Sequence, residues 1–249
     1  TRPTPGMLRA RMRARVGDDV FRDDPSVCAL EERAAAFLGQ PRALFLPSGT
    51  MANVTALKAW TQPGEAVIAD RRSHTVRYEV GGGAVICGLM FDTVDMPDGL
   101  LTPEAVRGAA RAPDVHQPVT RVVQIENTHN LAGGVCYPLA RVRALRRLTR
   151  AMGLALHMDG ARLANAAVAQ GVSAQEYGRL CDSATLCLSK GLGCPVGTVL
   201  AGPADFIERA RRIRKMLGGG MRQAGYLAAA GLYALRYHTR MTKPGEIGT

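Results

Sequence analysis

Six short apolar runs, at residues 42–46, 66–69, 121–126, 154–158, 184–188 and 198–201, alternate with stretches of helical spacing, and this alternation constrains the fold most. The runs are short for helices and carry the β-branched and apolar residues that suit buried strands. Residues 51–60, 139–152, 162–169 and 204–216 read as the amphipathic or alanine-rich helices that would cover them. Strand then helix, repeated, predicts an α/β fold: a mainly parallel sheet with helices on both faces. Ahead of the first strand, residues 25–38 read as another helix, with Asp24 as its cap, Pro25 in its first turn and Gly39 as its stop.

In open sheets of this kind, ligands gather beyond the carboxyl ends of the strands. Chemically capable residues follow four of the runs: Ser48, Gly49 and Thr50; Asn127 and His129; Asp159; and Ser189 and Lys190. The turn at Ser48, Gly49 and Thr50 opens a helix, where free amides and the helix dipole suit a phosphate, although a plain N-cap explains the same residues. No lysine and hydroxyl pair follows, so it is not a Walker A loop. Asp159 precedes Gly160, which permits close backbone approach. An acid there can bind a cation, cap the next helix or hold the protonated nitrogen of a pyridine ring. Lys190 stands just past a buried strand beside Ser189, Gly191 and Gly193, and an amine held partly away from water is what imine formation requires. Lysine paired with such an acid is the arrangement that serves pyridoxal 5′-phosphate (PLP), because the acid keeps the ring cationic and able to accept electrons.

The charge balance offers a competing reading. A formal net charge of +11 is compatible with a nucleic-acid partner. Its placement argues against one: the arginines of 141–150 and 209–215 leave Val142, Leu145 and Leu148, or Ile207, Ala210 and Ile213, along one stripe, as on the solvated side of an amphipathic helix. No apolar run approaches the roughly 20 residues that cross a bilayer, so no membrane partner is expected. Five arginines and no acid lie within residues 1–16, without the apolar centre of a signal peptide. The six cysteines are dispersed and form no CxxC pair, which predicts reduced thiols in a cytoplasmic protein and no metal site.

Several segments share a family resemblance. HMDGARLANAAVA (157–169) and LSKGLGCPVGTVLAG (188–202) resemble the core of the low-specificity L-threonine aldolases, PLP enzymes of fold type I. VGDDVFRDDPSVCALE (16–31), LFLPSGTMAN (44–53), ENTHNLAGG (126–134) and RKMLGGGMRQAG (214–225) resemble family motifs in family order. The resemblance implies a PLP-binding large domain over 1–235, with 1–24 as an N-terminal arm, and a divergent segment over 236–249 in place of the family's small domain. It implies Lys190 as the Schiff-base lysine, Asp159 as partner of the ring nitrogen, and Ser48, Gly49 and Thr50 at the phosphate. It places His74 on the ring face, His129 near the substrate side chain, and Arg162 near the cofactor or substrate carboxylate. Arg222 is expected at the phosphate, from this chain or a neighbouring subunit. Without the resemblance, His74 reads as a surface histidine at a helix start and His129 as a turn residue.

The implied reaction is retro-aldol cleavage of threonine or allo-threonine to glycine and acetaldehyde, with His74 or His129 as the base and a homodimer or homotetramer as the working form. A PLP-binding protein with little activity, and another fold type I lyase or a hydroxymethyltransferase, are the alternatives. The chain departs from the family at Arg22, where glycine is usual, and the resemblance places Thr1 just after the family's N-terminal Ser-Asp-Thr segment.

Overall fold

The computed structural model describes residues 2–112 and 114–239. Seven strands form one sheet: β1 (Arg42–Leu46), β2 (Ala66–Asp70), β3 (Met90–Val94), β4 (Thr120–Glu126), β5 (Ala155–Asp159), β6 (Ser183–Cys187) and β7 (Thr198–Gly202). Their order is β1-β7-β6-β5-β4-β2-β3. Neighbours pair in parallel except that β7 runs opposite to both β1 and β6. Because β7 reverses, β1 points the same way as β6, and the carboxyl ends of the six strands other than β7 share one rim.

Around the sheet lie α1 (Pro5–Met12), α2 (Pro25–Leu38), α3 (Gly49–Trp60), α4 (His74–Arg77), α5 (Pro103–Ala109), α6 (Leu139–Ala151), α7 (Leu163–Gln170), α8 (Ala174–Gly178), α9 (Ala204–Met216) and α10 (Gly225–Tyr237). Side chains along a strand alternate between faces, and the core divides accordingly. Leu44, Leu46 and Leu200 pack with Ala52, Ala56, Phe206 and Ile207 under α3 and α9. Phe45, Val199 and Ala201 face the larger cluster, built with α2, α6 and α10. Helices therefore cover both faces.

The cap and stop expected for α2 are present. Asp24 Oδ1 accepts from the amides of Ser26 and Val27, both at 3.0 Å, and Gly39 adopts φ +62°. Asp24 Oδ2 also accepts from Gly225 N at 2.9 Å and Gly17 N at 3.2 Å, joining α2 to α10 and the N-terminal loop. Residues 2–24 lie against the body: Met7 of α1 is fully buried, and Arg11 Nε donates to Tyr226 O at 3.1 Å. The expected C-terminal segment 236–249 lies outside the described residues from 240 onward.

The basic stripe of α9 departs from the expectation of a solvated face. Arg214 is 2% exposed, and the buried positions are Phe206, Ile207, Ala210 and Arg214. The cause is the open edge of β1. Phe45 turns its amide and carbonyl toward α2 and α9, where Glu31 Oε1 accepts the amide at 2.9 Å and Arg214 Nη1 donates to the carbonyl at 2.7 Å. Asp19 Oδ2, 2.8 Å from Arg214 Nη1, balances its charge, and Arg211 Nη2 meets Glu31 Oε2 at 2.7 Å. An edge strand that would otherwise offer unpaired groups to another chain is thus closed by charged side chains.

Candidate active site

Sheet register brings the expected groups to the shared rim. Leu46, Thr198 and Cys187 stand abreast, so the turn after β1 lies beside the one after β6. Glu126 and Asp159 are register partners on β4 and β5.

Ser48 caps α3, its Oγ accepting from Met51 N at 3.2 Å. That leaves the amides of Gly49 and Thr50 at the head of a twelve-residue helix, where no preceding turn supplies carbonyls to pair them. Both Ser48 and Thr50 are exposed. A Cβ at Gly49 would lie 3.0 Å from Cys187 Sγ, so the turn needs glycine to sit this close to β6. Cap and phosphate cradle are compatible here, since the cap uses one amide and leaves two.

Asp159 is 2% exposed, yet its oxygens are well supplied. Oδ1 accepts from Ala161 N at 3.1 Å and lies 3.5 Å from Thr185 Oγ1, while Oδ2 accepts from Asn53 Nδ2 at 2.8 Å. Gly160 has no alternative, because a Cβ there would stand 2.2 Å from Thr185 O. Lys190 is half-buried just past β6. Asp159 ends β5 and Lys190 follows β6, its parallel neighbour, so both stand at the same end of adjacent strands.

His74 opens α4 with its ring half-buried, and its amide donates to Glu126 Oε2 at 2.8 Å. Burial lowers its pKa from 6.5; the Asp159 charge opposes this, and Lys190 and Arg162 add to it. Arg162 is half-buried, with Nη1 donating to Asn130 Oδ1 at 3.1 Å.

His129 and Arg222 stand apart from this group. The His129 ring is 1% exposed, with Nε2 3.1 Å from Asp70 Oδ1 and Nδ1 without a partner among the described residues. Asp70 shares a strand face with Ile68, which belongs to the larger cluster, so it holds the ring on the side opposite the α3 face that Asp159 shares. Arg222 is exposed and tied to Asp18 Oδ2 at 2.5 Å.

Three further side chains join the site without having been expected there: Asn53, Glu79 and Glu126. Burial raises the pKa of Glu79 to about 8 and that of Glu126 to about 7, and the Asp159 charge adds to both. A signal existed for Asn53, which lies one helical turn past Gly49 in the LFLPSGTMAN segment and therefore on the side facing the sheet.

The donor set suits PLP on its own chemistry. There are open helix amides for a phosphate, a supported buried carboxylate for a ring nitrogen, an amine for the aldehyde carbon and an imidazole for a ring face. Residues 1–245 match the beta-eliminating lyase family. The chain belongs to that family. Members of the family are PLP-dependent. Over 95% of this chain and 70% of the relative, it is 47% identical to the low specificity L-threonine aldolase of Escherichia coli (strain K12). It is 43% identical to the probable low-specificity L-threonine aldolase 2 of Arabidopsis thaliana over 94% of this chain and 67% of that protein. Among solved structures, a putative aromatic amino acid beta-eliminating lyase/threonine aldolase from Exiguobacterium superposes with a TM-score of 0.83 at 26% identity, covering 96% of this chain and 66% of that one. A putative L-allo-threonine aldolase from Listeria monocytogenes gives a TM-score of 0.83 at 25% identity, covering 95% of this chain and 65% of that one.

Proposed function

We propose that this member of the beta-eliminating lyase family cleaves L-threonine or L-allo-threonine to glycine and acetaldehyde, with PLP held at the rim just described. The observation that carries the reading is that Asp159 and Lys190 stand at the same end of the adjacent parallel strands β5 and β6, with Asp159 bonded to Asn53 of α3, whose head is open. Bound there, PLP supplies an electron sink for the bond broken at the substrate's Cα.

The chain's own groups divide the remaining work. The Gly49 and Thr50 amides, with the hydroxyls of Ser48 and Thr50, hold the phosphate. Asp159, kept in place by Asn53 and the Ala161 amide, accepts the ring N–H. Lys190 presents the amine that carries the cofactor. His74 lies against the ring face and, with its pKa lowered, is neutral near pH 7 and able to take the proton of the substrate's β-hydroxyl. Arg162, held by Asn130, would bind the substrate carboxylate and so orient the bond to be broken. The shielding of His129 by Asp70 favours His74 as the base. His129→Ala is expected to keep kcat within about threefold and His74→Ala to lower it about a hundredfold or more, the usual range for a lost general base.

The working form in this reading is a cytoplasmic homo-oligomer. Supporting it, Tyr78, Val80 and Val85 are 54%, 97% and 83% exposed in the segment next to His74, and the six cysteines are all unpaired. Arg222 would serve a phosphate across such a contact by leaving Asp18. Incubation of the purified protein with PLP and threonine or allo-threonine tests the function: glycine and acetaldehyde in equal amounts are expected, and no acetaldehyde from either substrate contradicts it.

A further inference from the structure

Glu79 has no part in the roles above, yet it touches two of the groups that carry them. Its side chain is 2% exposed. From α3, Asn53 Nδ2 donates to Glu79 Oε1 at 2.9 Å and to Asp159 Oδ2 at 2.8 Å, so one amide bridges two carboxyls. From α4, His74 Nε2 lies 3.8 Å from the same Oε1. The main chain of His74 is held separately by Glu126.

An acid is an expensive choice at this place. Glu79 faces the carboxylates of Asp159 and Glu126, against the single favourable charge of Lys190, with Asn53, His74 and the Cys87 thiol as its remaining polar or titratable neighbours. Burial is the largest influence, and the proton stays on Glu79 until about pH 8. Glutamine would fill the same space and accept the same Asn53 hydrogen bond without that cost, so a purely structural role does not call for an acid.

We propose that Glu79 is a positioning residue for the cofactor, holding Asn53 and through it Asp159, and packing beside the His74 imidazole, so that the ring-nitrogen and ring-face groups keep one arrangement. The proposal rests on the PLP reading of the site. In its protonated form Glu79 is a neutral spacer that leaves Asp159 as the anion nearest the ring nitrogen. Once ionised, it sets a second negative charge against Asn53 and His74 and changes the field at the cofactor.

The test measures the PLP dissociation constant and the absorbance of bound PLP from pH 6 to 9 for the wild type, Glu79→Ala and Glu79→Gln. Alanine is expected to weaken PLP binding about tenfold at pH 7, the equivalent of one lost buried hydrogen bond. Glutamine is expected to bring affinity back to within about threefold at pH 7, and to remove a spectral step near pH 8 that the wild type shows. Alanine affinity equal to wild type, or a glutamine titration that superimposes on wild type, overturns the proposal. Should the alanine variant fail to fold, the comparison of glutamine with wild type decides alone. If the wild type takes up no PLP, this proposal and the reading beneath it fall together; if it does and Glu79→Ala matches it, only this one falls.

Discussion

Two residues hold backbone conformations that their side chains resist. Arg22 has φ +61° and Val80 has φ +52°, in the left-handed region where a β-carbon crowds the following carbonyl. For Arg22 this explains why glycine is usual at that place in the GDDVFRDDP segment; its side chain reaches Glu208 instead. Val80 is 97% exposed and has little packing to offset the strain. Val80→Gly is therefore expected to stabilise the fold by up to about 1 kcal/mol, the relief of a left-handed β-branched residue less the entropy of an added glycine. Thermal melting of the PLP-free protein checks this, and a lowered midpoint contradicts it. The residues on which the proposed chemistry rests were legible as candidates at this scale because each follows a strand: Asp159 and Lys190 stand out as charges at the ends of apolar runs. Asn53, Glu79 and Glu126 were harder to read. Their meaning comes from the contacts of Asn53 with Glu79 and Asp159 and of Glu126 with the His74 amide, across 26 to 106 positions of sequence, and no local pattern records such contacts.

Elements with one polar and one apolar side were legible almost to their ends; α2 and α9 span the expected residues. Two elements without that contrast were missed. α10 reads GYLAAAGLYALRY and buries Ala228, Ala229, Ala230, Gly231, Ala234 and Leu235, so apolar residues surround it and no stripe marks its period. β3 pairs only with β2 at the far edge of the sheet and carries Asp92 at its centre, so its half-exposed pattern lacks the apolar run of an inner strand. The charge run of α9 was read for its solvated side, and the buried Arg214 was hidden in it because an arginine's partner cannot be seen in its own helix. That partner sets a prediction. Arg214→Met removes the cation from Asp19, which is 2% exposed, and is expected to cost about 3–5 kcal/mol, as breaking a buried pair does. Adding Asp19→Asn to it recovers part of the loss. Urea denaturation measures both, and equal stability of Arg214→Met and wild type contradicts the edge-closing role.

Across the whole molecule, buried titratable groups tie stability to pH in opposite directions. Glu79 and Glu126 have pKa values raised by burial from 4.5 to about 8 and about 7. The unfolded chain ionises these acids above about pH 4.5 while the fold keeps them protonated, so their contribution is complete below that pH and is lost as pH rises through 7 to 8. His157, fully buried with Nδ1 2.8 Å from Ser183 Oγ, is lowered by burial from 6.5 to about 4. Its contribution is present above pH 6.5 and disappears as pH falls toward 4. For PLP-free protein, Glu79→Gln is thus expected to melt higher than wild type by a margin that grows from pH 5 to pH 8; a margin that is constant or shrinks contradicts the buried, protonated acid. Glu79 and Glu126 lie with Asp159 at the rim, and the account depends most on one member of that rim, Lys190, being bonded to the cofactor. Borohydride reduction of the PLP-loaded protein, followed by peptide mapping, tests that bond directly. The account predicts one pyridoxyl group, on Lys190. A modification on Lys58 or Lys215 instead, or no stable modification at all, would contradict it.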